Sequence, residues 1–187
     1  KNYDMTITPK LYTGENILVM NEYRHAFKNA FLIVDTSYTK GYKKTTDVKL
    51  PGSRNHLFSK LFYDFAKDEN YINTLQVNLQ HVSNDTYLKV HDIDTELAKA
   101  DLNILKSDIS YEFQNENNFL SISANMFEDI TKKDRTKYEY ILPNLVFERN
   151  VFTDEKLGMV DIHSNAFARN YNVNQTTKMF VNDFSWR

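Results

Sequence analysis

Between Ile72 and Val82 the chain alternates, with Leu75, Val77 and Leu79 in one set and Gln76, Asn78 and Gln80 in the other. A side-chain period of two places these sets on opposite faces of an extended strand, one oily and one wet. The alternation ends at Ser83-Asn84-Asp85-Thr86, whose short polar side chains bond their own backbone and favour a turn. Most of the chain repeats this pattern. Tyr3, Met5 and Ile7 alternate with Asp4 and Thr6 up to Pro9, and Val19 and Tyr23 oppose Glu22 and Arg24 after a turn at Gly14-Glu15-Asn16. Leu32, Val34 and Tyr38 then oppose Asp35, Ser37 and Thr39, followed by Gly41 to Arg54, a polar stretch with Pro51-Gly52 that is the longest loop candidate. From Asn55 to Phe65 alternation returns, blurred by Phe58 and Phe62.

The second half is similar. Ile109, Tyr111 and Phe113 oppose Asp108, Ser110 and Glu112, and Leu120, Ile122 and Met126 oppose Ser121, Ser123 and Asn125. Tyr138 to Arg149 is interrupted at Pro143, which suggests a bulge or an edge contact because proline cannot donate to a ladder. Val160, Ile162 and Ala166 oppose Asp161, His163 and Asn165, and Phe180, Phe184 and Trp186 carry the last strand. Only His91 to Lys106 is ambiguous. Ile93, Leu97, Ala100 and Ile104 have helical spacing with Asp92 as a possible N-cap, while a loop leading into a strand fits as well.

The pattern predicts an all-β protein: an antiparallel up-and-down meander of about ten strands, because hairpin-length connections leave no room for parallel crossovers. Alternation alone does not say what covers the oily face. In a soluble or surface binding module a second protein layer covers it; in a transmembrane barrel, lipid does. Three features favour lipid. Ile72 to Val82 and Phe119 to Ile130 hold their period for about twice a typical soluble strand. The opposite face is filled with Asp, Glu, Asn, Gln, Ser and Thr in register. Aromatics gather near strand ends at Tyr63, Phe65, Tyr71, Tyr138, Tyr140, Phe184 and Trp186, where interfacial girdles sit. The expected lipid-facing residues are Leu75, Val77, Leu79, Leu120, Ile122 and Met126. The expected lumen wall is Glu22, Arg24, Gln76, Asn78, Gln80, Ser121, Ser123, Asn125, Asp161, His163 and Asn165, acting by collective hydrogen bonding.

Composition narrows the chemistry. Net charge is -2, from 23 basic and 25 acidic residues among 187, and these are dispersed, so no global field calls for nucleic acid. Cysteine is absent, which removes disulfides, thiolate metal sites and cysteine nucleophiles. No apolar run approaches the roughly 18 residues of a transmembrane helix. The histidines at 25, 56, 81, 91 and 163 share no ligand spacing, and no nucleophile elbow or phosphate loop occurs. No catalytic residue, metal or cofactor is expected. An acidic loop at Asp92, Asp94 and Glu96 reads as a solvated turn before a calcium site. A barrel hydrolase is a further alternative, weakened because His163 and Ser164 are adjacent and point to opposite faces.

Five stretches carry a resemblance. Tyr3-Asp4-Met5-Thr6-Ile7-Thr8-Pro9, Asn21-Glu22-Tyr23-Arg24-His25 and Val82-Ser83-Asn84-Asp85-Thr86-Tyr87-Leu88 are followed by Leu142-Pro143-Asn144-Leu145-Val146-Phe147 and Leu157-Gly158-Met159-Val160-Asp161. In that order they resemble the outer-membrane lipopolysaccharide-assembly family, LptD or organic solvent tolerance proteins, and the last third is most similar to alphaproteobacterial members. The resemblance implies a barrel of about two dozen strands in the cell outer membrane, behind a periplasmic jellyroll that residues 1–187 do not contain. It also implies a plug lipoprotein like LptE, a periplasmic bridge protein like LptA that docks through the jellyroll, and lipopolysaccharide as the molecule handled. Residues 1–187 are then an excerpt of that barrel, lacking partners for their first and last strands.

Overall fold

The computed structural model describes residues 2–41, 52–66, 68, 70–132, 138–171 and 175–187. Ten strands form one antiparallel sheet in chain order. They are β1 (Tyr3–Lys10), β2 (Leu18–Ala26), β3 (Ala30–Lys40), β4 (Ser53–Asp64), β5 (Ile72–Val82), β6 (Ile104–Gln114), β7 (Asn118–Asp129), β8 (Tyr138–Asp154), β9 (Gly158–Tyr171) and β10 (Gln175–Trp186). The all-β meander expected from the alternation is what forms. Among the described residues β1 pairs only with β2 and β10 only with β9, so the sheet is open at both edges.

Register determines which residues share a face. Leu61 is opposite Val77, Val77 opposite Ile109, and Ile109 opposite Ala124, so the apolar sets of β4 to β7 align across four strands. Leu120 and Ile122 continue into Phe147 and Leu145 of β8. No second layer of described residues covers this face. Tyr3, Met5, Ile7, Ile109, Phe180, Phe184 and Trp186 all lie on it and are about half exposed or more.

Pro143 lies at a bulge, as expected. The β7–β8 register slips between Ser123 and Asn125, and the β8–β9 register slips between Ile141 and Asn144, so the extra residue belongs to β8. Gly158, at the tight turn into β9, has φ +85. A Cβ there would run into the backbone carbonyl of Arg187, whose N–H and C=O pair with Met159.

One open alternative is decided and one expectation needs correction. His91 to Lys106 takes the loop-then-strand form rather than the helix. A single helical turn, α1 (Tyr87–Val90), precedes irregular chain, and β6 starts at Ile104. Asp92 has φ 47, and the Thr95 hydroxyl accepts the Ala98 N–H at 3.0 Å while the Thr95 N–H donates to the Ala98 carbonyl at 2.8 Å. These local side-chain and turn bonds displace the helical ladder. Of the four residues with helical spacing only Ile93 is fully buried, beside Ala98, which lies outside that spacing, and Ile104 is 53% exposed. In addition, the longest connection is residues 83–103 rather than the stretch from Gly41 to Arg54, of which residues 42–51 lie outside the described residues.

The core sits where 83–103 folds back over the polar face of the early strands. Tyr87, Leu88, Ile93 and Ala98 pack with Leu18, Met20, Phe58 and Val82. This accounts for the blurred pattern of β4: Phe58 belongs to the polar face and is covered by the returning segment.

Candidate functional site

The register puts the expected polar wall on one face. Glu22 pairs with Asp35 and Arg24 with Ile33; Gln76, Asn78 and Gln80 pair with Phe62, Lys60 and Phe58. Through Asp108 and Ser110 the same face continues to Asn125 and Ser123, then Ser121, and across β8 to Asn165, His163 and Asp161. Leu75, Val77, Leu79, Leu120, Ile122 and Met126 share the opposite face.

Along the later strands the polar face is joined by side-chain bonds. The Asn78 amide donates to Asp108 at 3.0 Å, and Lys106 pairs with the same carboxylate at 3.4 Å. His163 meets Glu148 at 3.1 Å, Asn150 donates to Asp161 at 3.0 Å, and Arg169 pairs with Glu139. A cavity of about 490 Å³ opens there, lined by Gln114, Glu148, Asp161, His163, Asp183 and Arg187 among others. Such a surface offers many donors and acceptors and suits hydrated sugars or a polar protein surface.

On the early strands that face is covered. Glu96 pairs with Arg24 at 3.1 Å, and Arg24 also meets Glu22 at 2.6 Å. Lys10 donates to the carbonyl of Asp92 at 2.6 Å, and the Tyr12 hydroxyl donates to that of His91 at 3.2 Å. Beneath lies a buried chain of polar groups. His56 Nε2 is 3.1 Å from Asp35 Oδ1, His56 Nδ1 is 2.5 Å from Ser37 Oγ, and Ser37 Oγ is 2.8 Å from the Tyr87 hydroxyl. Thr95 Oγ1 donates to the second Asp35 oxygen. Asp35, Ser37 and His56 are all less than 5% exposed. Burial pushes the Tyr87 phenol up to about 12, so it keeps its proton.

A serine, a histidine and an aspartate in hydrogen-bond sequence invite a hydrolytic reading, but the surroundings oppose it. Ser37 lies inside β3, whose backbone is engaged by β2 and β4, so no free N–H groups converge on an oxyanion position. Tyr87 occupies the approach to Ser37 Oγ. The arrangement instead satisfies every polar group it buries, which is what a structural network requires.

Sequence reasoning placed Asp35 and Ser37 on a polar face but not in this network. Ser37 and His56 are direct cross-strand partners. Finding them required the register of the β3–β4 hairpin, which its long connection left open. Tyr87 follows the turn at residues 83–86, beyond the last strand alternation, and so had no face assigned. Among the described residues no group of three or more His, Asp or Glu side chains is placed to hold a metal ion.

No protein-family model matches the chain. Among curated proteins it is similar to the LPS-assembly protein LptD of Legionella pneumophila. For strains Paris and Philadelphia 1 the identity is 29% over 125 residues, covering 61% of this chain and 14% of the relative. For strain Lens it is 28% over the same length and shares. The chain thus spans about a seventh of the length of these relatives, and over that stretch it is LptD-like. The expected alphaproteobacterial affinity finds no support in these matches.

Proposed function

We propose that this chain is a run of transmembrane strands from an outer-membrane β-barrel that delivers lipopolysaccharide to the outer leaflet. The observation that carries the reading is the apolar face itself. It is aligned across strands of eight to seventeen residues, it is uncovered by protein among the described residues, and it lies on a chain similar to a protein named for LPS assembly. An eleven-residue strand such as β5 is ~36 Å long at ~3.3 Å per residue, which at a ~45° tilt gives ~26 Å of depth. That matches an apolar band ~25 Å tall.

In this reading Leu75, Val77, Leu79, Leu120, Ile122 and Met126 meet hydrocarbon. The wall from Glu22 and Arg24 to Asp161, His163 and Asn165 lines the lumen and contacts an LptE-like plug lipoprotein and the sugars of lipopolysaccharide. An LptA-like bridge protein would dock on a part of the protein outside this chain. The role is transport by positioning and not enzymatic turnover. Tyr63, Tyr138, Tyr140, Phe184 and Trp186, at the ends of β4, β8 and β10, belong to interfacial girdles. Connections 27–29, 65–71, 115–117 and 155–157 share one end; 11–17, 41–52, 83–103, 130–137 and 172–174 share the other, which carries the two longest, 83–103 and 41–52. Outer-membrane barrels keep short turns on the periplasmic side, which directs 83–103 outward.

The test is depletion of the full-length parent protein in its host. Newly made lipopolysaccharide is expected to disappear from the cell surface, and the parent is expected to fractionate with the outer membrane and show heat-modifiable gel mobility. A parent soluble without detergent would favour a surface binding module and defeat the proposal.

A further inference from the structure

Residues 83–103 rest on the polar face in two ways that chemistry separates. One is an apolar seat, Leu88, Ile93 and Ala98 against Leu18, Met20 and Phe58. The other is the buried polar chain, in which Asp35 Oδ1 meets His56 Nε2, His56 Nδ1 meets Ser37 Oγ, and Ser37 Oγ meets the Tyr87 hydroxyl. Thr95 donates to the remaining Asp35 oxygen while accepting the Ala98 N–H. Both ends of the chain, Tyr87 and Thr95, are residues of the segment.

We propose that this network is a latch. Tyr87 and Thr95 lock the segment to β3 and β4 through Ser37, His56 and Asp35, and the lock, beyond the apolar seat, decides how often the segment lifts. Lifting exposes Asp35, Ser37 and His56 together, so the polar groups leave as a unit and the segment opens cooperatively. In the barrel reading of the previous section, on which this consequence rests, the latch keeps the β1–β4 flank of the lumen closed and leaves the β6–β10 flank open to cargo or plug. The latch itself requires only the fold.

Hydrogen exchange on the full-length protein in detergent tests it, using Tyr87→Phe and Thr95→Val, which remove a hydroxyl each and keep shape. Each is expected to speed exchange of the protected amides in 83–103 by about three- to tenfold, the effect of one net hydrogen bond, while β6–β10 amides are unchanged. Ser37→Ala combined with Tyr87→Phe is expected to add less than the two changes separately. Unchanged exchange in 83–103 in both single variants would overturn the latch, as would a uniform rise across all ten strands. Neither outcome touches the lipopolysaccharide reading, which fails instead if depletion leaves surface lipopolysaccharide intact.

Discussion

Replacing Val77 with Arg sets the two environments of the sheet against each other. Val77 is five residues from either end of β5, ~17 Å along the strand and ~12 Å in depth at a ~45° tilt, which places it near the midplane of the apolar band. Its cross-strand partners are Leu61 and Ile109, so the new guanidinium finds no carboxylate beside it. An arginine at the lipid-facing midplane costs about 2–4 kcal/mol, a loss of ~30- to ~1000-fold in the folding equilibrium. The neighbouring Asn78→Arg substitution puts the same charge on the other face, between Lys60 and Asp108. There the guanidinium can take over the Asn78 bond to Asp108, which Lys106 also pairs with, and water solvates the rest, so a change within ~0.5 kcal/mol is expected. Urea titration of the full-length protein folding into lipid vesicles, read by gel mobility, measures both. Equal tolerance at the two positions, or a larger loss at Asn78, would refute the facial assignment.

Other changes probe other parts of the account. Gly158→Ala forces a side chain into a left-handed turn and against the Arg187 carbonyl. A loss above ~1 kcal/mol in the same titration is expected, and a neutral result would contradict the β8–β9 turn. Leu88→Ala removes a side chain that is 1% exposed in the seat of 83–103. It is expected to cost about 2–5 kcal/mol of the segment's local stability, visible as faster proteolysis there while the heat-modified band persists. The Tyr87 phenol ionises less readily when the segment is seated, since burial raises it to about 12 from an unfolded value near 10. Its contribution is complete below pH ~10 and is lost as pH climbs towards ~12. Exchange in 83–103 should accelerate across that window, beyond the intrinsic base catalysis seen in β6–β10, and Tyr87→Phe should abolish the excess.

The alternation was sufficient for the fold because a sheet with one oily and one wet face writes its period directly into the chain. Leu75, Val77 and Leu79 could be assigned a common face without any knowledge of neighbours, and Pro143 marked its own bulge. The failures share a cause. Where the chain returns over the sheet, burial follows tertiary contact and not period, so Ile93 is buried with Ala98, which lies outside the helical spacing, and Phe58 breaks the alternation of its strand. The polar wall was legible as a face but not as a set of pairs. Which carboxylate meets which cation, such as Glu139 with Arg169, depends on registers fixed by connections of unequal length. The Asp35–His56–Ser37–Tyr87 network draws on two strands and a turn, and only folding brings them together.

The central claim is that hydrocarbon covers the apolar face and water the other. This chain has no cysteine of its own, so single cysteines at positions 75 to 80 of the full-length protein in native membranes can be scanned with a charged maleimide. The account predicts labelling with a period of two: reactive at 76, 78 and 80, and silent at 75, 77 and 79 until detergent or unfolding exposes them. Reactivity at all six positions, or silence at 75, 77 and 79 that persists after the lipid is stripped from the folded protein, would contradict it.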